Sequence, residues 1–305
     1  MSTVTIAMRN ENNAVVRIKT VKKENEFCFI SITSFLLLPH CDTIKQRGEI
    51  MREILAKYAQ NIEDKQLLER IFDLAQRVNT RGVYAFSDFL TPAQQALITK
   101  ASELIRLCEI TFDGGYEGAL RKVAVLKPKD CCYEQEPPIE ILAVKCGWGT
   151  PSNRDLLGAI MALGIKRTVL GDIADSAAPP FVVCHSKIAQ YLIDELKSAG
   201  RCSVKLERGE VGILPEISFE SVTATVASMR LDAVVAEAFS VSRTFAVSLI
   251  KGGKVSLNYL VESSVSCVVK EGDVISARGF GKAEIAKSGG QSRKGRTFIE
   301  IKRLK

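Results

Sequence analysis

The sequence of 305 residues predicts an α+β protein in which three structured parts follow an N-terminal extension. Apolar residues recur at three- and four-residue spacing after Met51, strands and helices alternate between Ile139 and Leu206, and two short helices followed by short strands come after Met229. The predicted parts are a poorly interpretable extension (1–50), a helical region (51–108), a middle domain with a preceding hairpin (109–221) and a C-terminal domain (229–305).

Residues 1–50 are the hardest part to interpret. A polar stretch up to Glu26 is followed by an apolar run of 12 residues, Phe27 to Leu38. That run is shorter than the roughly 20 residues that span a bilayer, and the charged stretch before it is too long for a signal peptide. We expect a strand or short helix packed on the body. The alternative is that Met51 is the native start and that residues 1–50 have little structure.

The helical region begins with two amphipathic helices, whose apolar positions run from Ile54 to Val78. A third helix has a clear start signal, because Thr91 can be its N-cap, Pro92 occupies the first helical position and Gln94 completes a capping box. We expect it to run to about Leu107.

The middle domain is predicted from turn and strand signals. The pair Gly114-Gly115 separates two strand-like stretches, 110–112 and 123–126, and predicts a hairpin. The order β-α-β-β-α-β then follows over residues 139–206, which is the ferredoxin-like (RRM-like) pattern of many RNA-recognition domains. A sheet that reads RNA carries basic and aromatic residues on its third strand. Here that strand has one aromatic, Phe181, which we expect to lie in the core.

The C-terminal part contains two short helices, which start near Arg230 and Ser242; the second ends at Gly252-Gly253. Strands are predicted at 254–257, 265–269 and 274–277, and a glycine-rich basic hairpin tip at 287–296.

The net charge of +7 lies entirely in this C-terminal part. Residues 229–305 contain 14 Lys and Arg against 7 Asp and Glu, whereas residues 1–228 contain 28 of each kind. This asymmetry points to a polyanionic partner. Charge alone leaves open a solvated surface or a basic patch facing a membrane.

Four ordered blocks identify the C-terminal part more specifically: RLD (230–232), SR (242–243), LIKGGKV (249–255) and GDVISARGFGK (272–282). Together they resemble the S4 domain, an RNA-binding module. The resemblance implies that cations at the ends of the two helices contact the RNA backbone; guanidinium groups suit phosphate because they can donate two hydrogen bonds at once. The candidate RNA-binding residues are Arg230, Ser242, Arg243, Lys251, Lys254, Arg278 and Lys282, with Arg293, Lys294 and Arg296 in the hairpin tip.

Residues 51–305 as a whole resemble the YlmH family of bacterial S4-domain proteins. The supporting pieces are SDFLTP (87–92), FDGGY (112–116) with Arg121, and VLGDI (169–173). The resemblance implies a cytoplasmic protein that binds RNA on the large ribosomal subunit, with rRNA as the ligand and tRNA as a second candidate, and that acts in ribosome-associated quality control or rescue. No membrane partner or small-molecule substrate is implied. Residues 1–50 lie outside the resemblance, which favours Met51 as the start.

Two other classes of function stay open. S4 domains also accompany RNA-modifying enzymes such as pseudouridine synthases and methyltransferases. However, the first 228 residues contain no glycine-rich loop of the kind that holds a nucleotide or methyl donor. Asp172 and Asp175 follow a strand and are candidate carboxylates for such an enzyme, but Gly171-Asp172 is interpreted as a turn. The other class is an interaction scaffold for cell division, which an exposed apolar patch on the middle domain would support.

The cysteines and histidines predict neither a metal site nor a disulfide framework. Nine cysteines are irregularly spaced with no CxxC pair, and His40 and His185 lack partners at zinc-ligand spacing. We therefore expect free thiols in a reducing cytosol, no cofactor, no metal and no catalytic residues.

Overall fold

The structure is a computed structural model that describes residues 3–9, 15–21, 44–129, 131–214, 219–291 and 295–304. The apolar run Phe27 to Leu38 and the hairpin-tip residues Arg293 and Lys294 lie outside these residues. The chain divides into two units, 1–57 and 58–305.

The first unit contains a hairpin and a helix. Strand β1 (Thr3–Arg9) pairs antiparallel with β2 (Val15–Val21), a hairpin in the stretch that the sequence analysis left uninterpreted. Helix α1 (Ile44–Ala56) begins upstream of Met51, where the sequence pattern placed the start of the helical region.

The second unit begins with α2 (Ile62–Arg81), β3 (Ala85–Leu90) and α3 (Pro92–Ile105). The predicted capping box is confirmed, since the Thr91 side chain accepts a hydrogen bond from Gln94 N while Gln94 Oε1 accepts one from Thr91 N. The helix ends two residues earlier than expected. Residues Ala85–Leu90, which the sequence pattern left unassigned, form a strand.

A three-stranded sheet supports these helices. Strands β4 (Glu109–Asp113) and β5 (Lys122–Lys127) form the predicted hairpin, and β3 pairs with the other edge of β5, giving the order β3-β5-β4. Helices α2 and α3 pack on this sheet through apolar side chains that include Leu68, Ile71, Leu97 and Ile98.

The predicted ferredoxin-like domain is present. Its elements are β6 (Ile139–Cys146), α4 (Asn153–Ala162), β7 (Leu170–Ala174), β8 (Phe181–His185), α5 (Ser186–Glu195), a short β9 (Ser198–Ala199) and β10 (Cys202–Arg208). The sheet is antiparallel with the order β7-β8-β6-β10-β9. Helices α4 and α5 cover one face, around a core that includes Leu142, Leu156 and Leu192.

The opposite face of this sheet is also covered. Phe181 and Val183 of β8 pack with Phe89 of β3 and Val123 of β5, so the three-stranded sheet lies on the five-stranded one. Phe181 has no exposed surface, which confirms its predicted place in the core. The result is four layers, helices, sheet, sheet and helices, in which the central surface of the ferredoxin-like sheet is closed to RNA.

Asp172 joins the two sheets. Its carboxylate accepts hydrogen bonds from Tyr116 Oη (2.9 Å), Leu120 N (2.6 Å) and Arg121 N (3.1 Å). The Arg121 guanidinium in turn donates to the carbonyl oxygens of Leu170 and Phe89. The interpretation of Gly171-Asp172 as a turn is wrong, because both residues lie within β7. They face the neighbouring sheet, a contact that a turn preference does not encode.

The C-terminal domain packs two helices on a six-stranded sheet. Its elements are β11 (Phe219–Val226), α6 (Leu231–Ala238), α7 (Arg243–Lys251), β12 (Val255–Leu257), β13 (Leu260–Val261), β14 (Val274–Ala277), β15 (Gly281–Gln291) and β16 (Thr297–Leu304). The strand order is β11-β16-β15-β14-β12-β13. β11 pairs with β16 along its whole length, so the sheet includes residues 219–221, which the sequence pattern placed in the middle domain, and residues 222–226, which it left between the two domains.

The strand predicted at 265–269 is wrong. The backbone of this segment instead forms hydrogen bonds with the backbone at the start of α6. Leu231 N donates to Cys267 O (2.8 Å), and Val269 N donates to Met229 O (2.8 Å). Val269 fills the core, together with Leu231, Val235 and Ile250. The short β13 takes the edge position in the sheet.

Candidate RNA-binding site

A buried aspartate holds two of the predicted RNA-binding arginines. Asp232, in the first turn of α6, is only 3% exposed. Its carboxylate accepts hydrogen bonds from Arg230 Nε (3.0 Å) and Arg243 Nε (2.9 Å), and Arg243 Nη2 lies 2.8 Å from the same carboxylate. The guanidinium groups remain partly exposed, since the side chains are 41% and 56% accessible. The N-terminal ends of α6 and α7 therefore present two oriented cations side by side.

The pKa of Asp232 follows from this arrangement. Burial raises it, but the hydrogen bonds from Arg230 and Arg243 and their positive charges outweigh burial, so the pKa lies below its ordinary value. The carboxylate is ionised at neutral pH and partly offsets the repulsion between the two arginines. Asp232 therefore positions both Arg230 and Arg243.

Ser242 is the N-cap of α7, as the sequence predicts. Its Oγ accepts a hydrogen bond from Phe245 N (3.2 Å) and lies 3.1 Å from Thr244 Oγ1. The cap fixes the first turn of α7 and with it the backbone of Arg243, the first helical residue. The side chain of Ser242 is exposed beside Arg243 and can also donate its hydroxyl proton to a phosphate oxygen.

Four further candidates lie on and after α7. Lys251 is in the last turn of the helix, and Lys254 and Arg278 are neighbours because Arg278 N donates to Lys254 O (2.9 Å). Within the part of the chain that the structure describes, these three side chains are exposed and have no hydrogen-bond or ion-pair partner. Lys282 Nζ lies over the ring of Tyr259, 5.2 Å from its centroid. The basic cluster is the set Arg230, Arg243, Lys251, Lys254, Arg278 and Lys282.

The hairpin tip is placed differently from the basic cluster. Of its three candidates only Arg296 is described, and its side chain is committed to internal contacts. It donates to Thr225 O and lies 3.7 Å from Glu237 Oε1. Arg296 thus links the start of β16 to β11 and α6. The structure gives it a stabilising contact alongside its predicted contact with RNA.

Two aromatic side chains beside the basic cluster were missed by the sequence analysis. Phe280 lies in the loop between β14 and β15, and its ring packs against that of Phe245 in the first turn of α7. The available signal was local: Phe280 is an apolar residue between two glycines inside a basic block, Arg278 to Lys282.

Among the described residues, no group of three or more His, Cys, Asp or Glu side chains is arranged to hold a metal ion. No single described helix has the length and apolar composition to cross a membrane; α6 and α7 meet that test only when taken together, across a bend of 114°.

Comparison with known families assigns the class of protein. The family described as "S4 domain" matches residues 229–275, and the family described as "Putative RNA-binding domain in YlmH" matches residues 148–212. Arg230, Ser242, Arg243, Lys251 and Lys254 fall within the first match. The S4 match, together with two helices on a small sheet and arginines at the start of each helix, assigns this chain to the RNA-binding proteins of the S4 class.

One relative identifies the family. Ribosome-associated protein quality control protein P2 of Bacillus subtilis (strain 168) is 30% identical over 249 residues, which cover 80% of this chain and 96% of that protein. The chain therefore belongs to the YlmH family, as its sequence resemblance predicts. A solved structure, cell division protein ylmH from Streptococcus pneumoniae, is similar over 50% of this chain and 93% of its own, with 20% identity and a TM-score of 0.41.

Proposed function

We propose that this protein binds ribosomal RNA on the large ribosomal subunit through the basic cluster of its S4 domain and acts in ribosome-associated quality control, in the cytoplasm. The observation that carries the proposal is the pair Arg230 and Arg243, which Asp232 holds in one orientation with both guanidinium groups accessible. The name of the Bacillus subtilis relative supports the ribosomal setting. Transfer RNA is the second RNA that the cluster could contact.

Electrostatics supports the S4 domain as the part that engages RNA first. The whole excess of positive charge lies in residues 229–305, and residues 1–228 are balanced. Each phosphate that a lysine or arginine neutralises releases counterions, so binding becomes favourable and depends on salt. The ferredoxin-like sheet cannot supply the same contact, because its central surface is covered by the three-stranded sheet.

The protein acts by binding and not by catalysis. Asp172, the carboxylate that the sequence analysis weighed against a catalytic role, has its oxygens occupied by Tyr116, Leu120 and Arg121. The test is incubation of the purified protein with rRNA or tRNA and a methyl donor, followed by mass spectrometry of the nucleosides. No modified nucleoside is expected, and a stoichiometric new one would overturn this part of the proposal.

Co-sedimentation with purified large ribosomal subunits tests the proposed RNA contact. Arg230→Glu with Arg243→Glu should abolish co-sedimentation at moderate salt. The charge-matched control is Arg70→Glu with Arg77→Glu on α2, two exposed arginines far from the S4 domain in sequence. For the wild type, binding should weaken steeply as salt rises, with a slope that reports the number of phosphate contacts. Equal co-sedimentation of both double variants would refute the proposal.

A further inference from the structure

The loop between β14 and β15 exposes a phenylalanine between two residues of the basic cluster, Arg278 and Lys282. The Phe280 ring centroid lies 6.0 Å from that of Phe245 and 6.2 Å from that of Phe239, with interplanar angles of 67° and 57°. Phe280 is still 42% exposed, and Phe245 is 45% exposed. Two large apolar rings thus support each other at the surface of the domain, with one part of each open to solvent.

The loop is built to hold Phe280 in this position. Gly279 and Gly281 have φ angles of 89° and 100°, which side-chain-bearing L-residues rarely adopt. Phe280 N donates to Ala277 O (2.9 Å), which closes the turn. The loop backbone is therefore ordered by its own hydrogen bond, and binding at the exposed ring needs little further ordering.

The basic residues near the two aromatic rings indicate what kind of ligand the rings bind. Arg278 precedes Phe280 in the loop, Lys282 follows it at the start of β15, and Arg243 lies two residues before Phe245 in the first turn of α7. An apolar protein surface would be a poor match for these three cations, whereas a nucleotide offers a flat aromatic face together with a phosphate. Stacking of bases on aromatic side chains next to basic residues is a general mode of binding to unpaired RNA.

We propose that the Phe280 ring, supported by Phe245, stacks on one unpaired RNA base while Arg243 and Arg278 contact the adjoining phosphates. This inference rests on the proposed function and deepens it, because it names the kind of RNA site. Along its length, a fully paired A-form duplex offers phosphates and 2′-hydroxyls to the cluster but no open base face. A bulge or loop offers the stacking contact as well, and is bound more tightly.

The test compares two RNA hairpins of equal length, one fully paired in its stem and one with a single-nucleotide bulge, by fluorescence anisotropy with the full chain. Phe280→Leu should lower affinity for the bulged RNA about tenfold, the range measured for one stacked base. Its affinity for the paired stem should change less than about twofold. Phe280→Trp, which keeps a large π face, should retain tight binding to the bulged RNA.

Phe298→Leu on β16 is the matched control, because Phe298 is also 42% exposed but lies at the far end of the sheet. It should change neither affinity. Unaltered bulge binding by Phe280→Leu would overturn the inference, and so would equal losses on both RNAs, which would indicate a structural role. If Arg230→Glu with Arg243→Glu leaves both affinities intact, the proposed function fails as a whole; if it abolishes both while Phe280→Leu has no effect, only the stacking contact fails.

Discussion

Replacement of Asp232 by asparagine distinguishes two possible sources of affinity for RNA: the total positive charge of the domain and the orientation of Arg230 and Arg243. The substitution keeps the size of the side chain but removes its charge, so the net charge of the domain becomes more positive by one. If affinity for RNA depended only on total charge, Asp232→Asn would bind more tightly. If the orientation of Arg230 and Arg243 matters, it would bind more weakly.

The magnitude follows from the contacts of Asp232. The carboxylate is buried and accepts hydrogen bonds from both arginines, but these are partly exposed and can turn to water when the carboxylate is lost. Discounting each ion pair for that exposure, we expect about 1 kcal/mol from each, or about 2 kcal/mol lower free energy of unfolding. The freed arginines must then be ordered on binding, which costs about 0.5–1.5 kcal/mol per side chain. Affinity for RNA should fall about tenfold.

The measurements are calorimetric unfolding and RNA binding at fixed salt. Glu271→Gln is the control with the same charge change, because Glu271 is exposed in the turn after 265–269 and accepts a hydrogen bond from a backbone amide, Ser288 N. It should bind RNA slightly more tightly than the wild type. Tighter binding by Asp232→Asn, equal to that of the control, would refute the idea that Asp232 acts by orienting the arginines.

The same pair of proteins gives a pH dependence with a defined sign. The pKa of Asp232 in the folded protein is below its ordinary value, about 3.9 in model peptides. Its contribution to stability is therefore complete above the unfolded-state pKa and is lost as pH falls through the folded-state pKa. The stability difference between wild type and Asp232→Asn should be constant from pH 5 to 8 and shrink below about pH 4. A difference that already disappears near pH 6 would contradict this assignment.

Three further substitutions or reactions test the fold. Asp172→Asn should lower the free energy of unfolding by about 2 kcal/mol, because an amide cannot accept all three hydrogen bonds that link the two sheets; an unchanged melting temperature would contradict this. Ser242→Ala should cost about 1 kcal/mol of stability through loss of the α7 cap, and Ser242→Thr should restore most of it. Cys184 should resist iodoacetamide at pH 8 while exposed Cys132 reacts, since burial and then the charge of Glu140 raise the Cys184 pKa to about 12; equal labelling in peptide mass spectrometry would contradict this.

The sequence predicted correctly those features that depend on interactions between residues close together in the chain. The capping box at Thr91 and the cap at Ser242 are hydrogen bonds between residues three apart, so sequence spacing determines them. Strands β3 and β11 were missed because their partners, β5 and β16, lie far along the chain. The error at 265–269 has the same origin, since its apolar pattern suits a strand but its backbone bonds with the start of α6.

The candidate site shows the same division. The cations of the basic cluster could be predicted from the sequence, because each of them lies within or beside one short contiguous motif. The role of Asp232 could not be predicted from the sequence, because Arg243 is 11 residues away and its guanidinium reaches the carboxylate only when the turn between α6 and α7 is formed. The contact between Phe280 and Phe245 likewise joins the β14–β15 loop to a helix more than 30 residues earlier in the chain.

The covered face of the ferredoxin-like sheet is consistent with the concentration of positive charge in residues 229–305. In a ferredoxin-like domain that reads RNA, the sheet surface needs aromatic and basic side chains; here Phe181 and Val183 fill that surface and pack against Phe89 and Val123. A domain whose sheet surface is covered in this way does not bind RNA through that surface and does not need excess positive charge there. Residues 1–228, which include it, have no excess positive charge. The excess positive charge of the S4 domain attracts a polyanion over a longer range than the balanced part of the chain does. β13 of the S4 domain contacts α3, and Gln60 Nε2 donates to Val261 O (3.4 Å), so the S4 domain lies against the helices that support the three-stranded sheet.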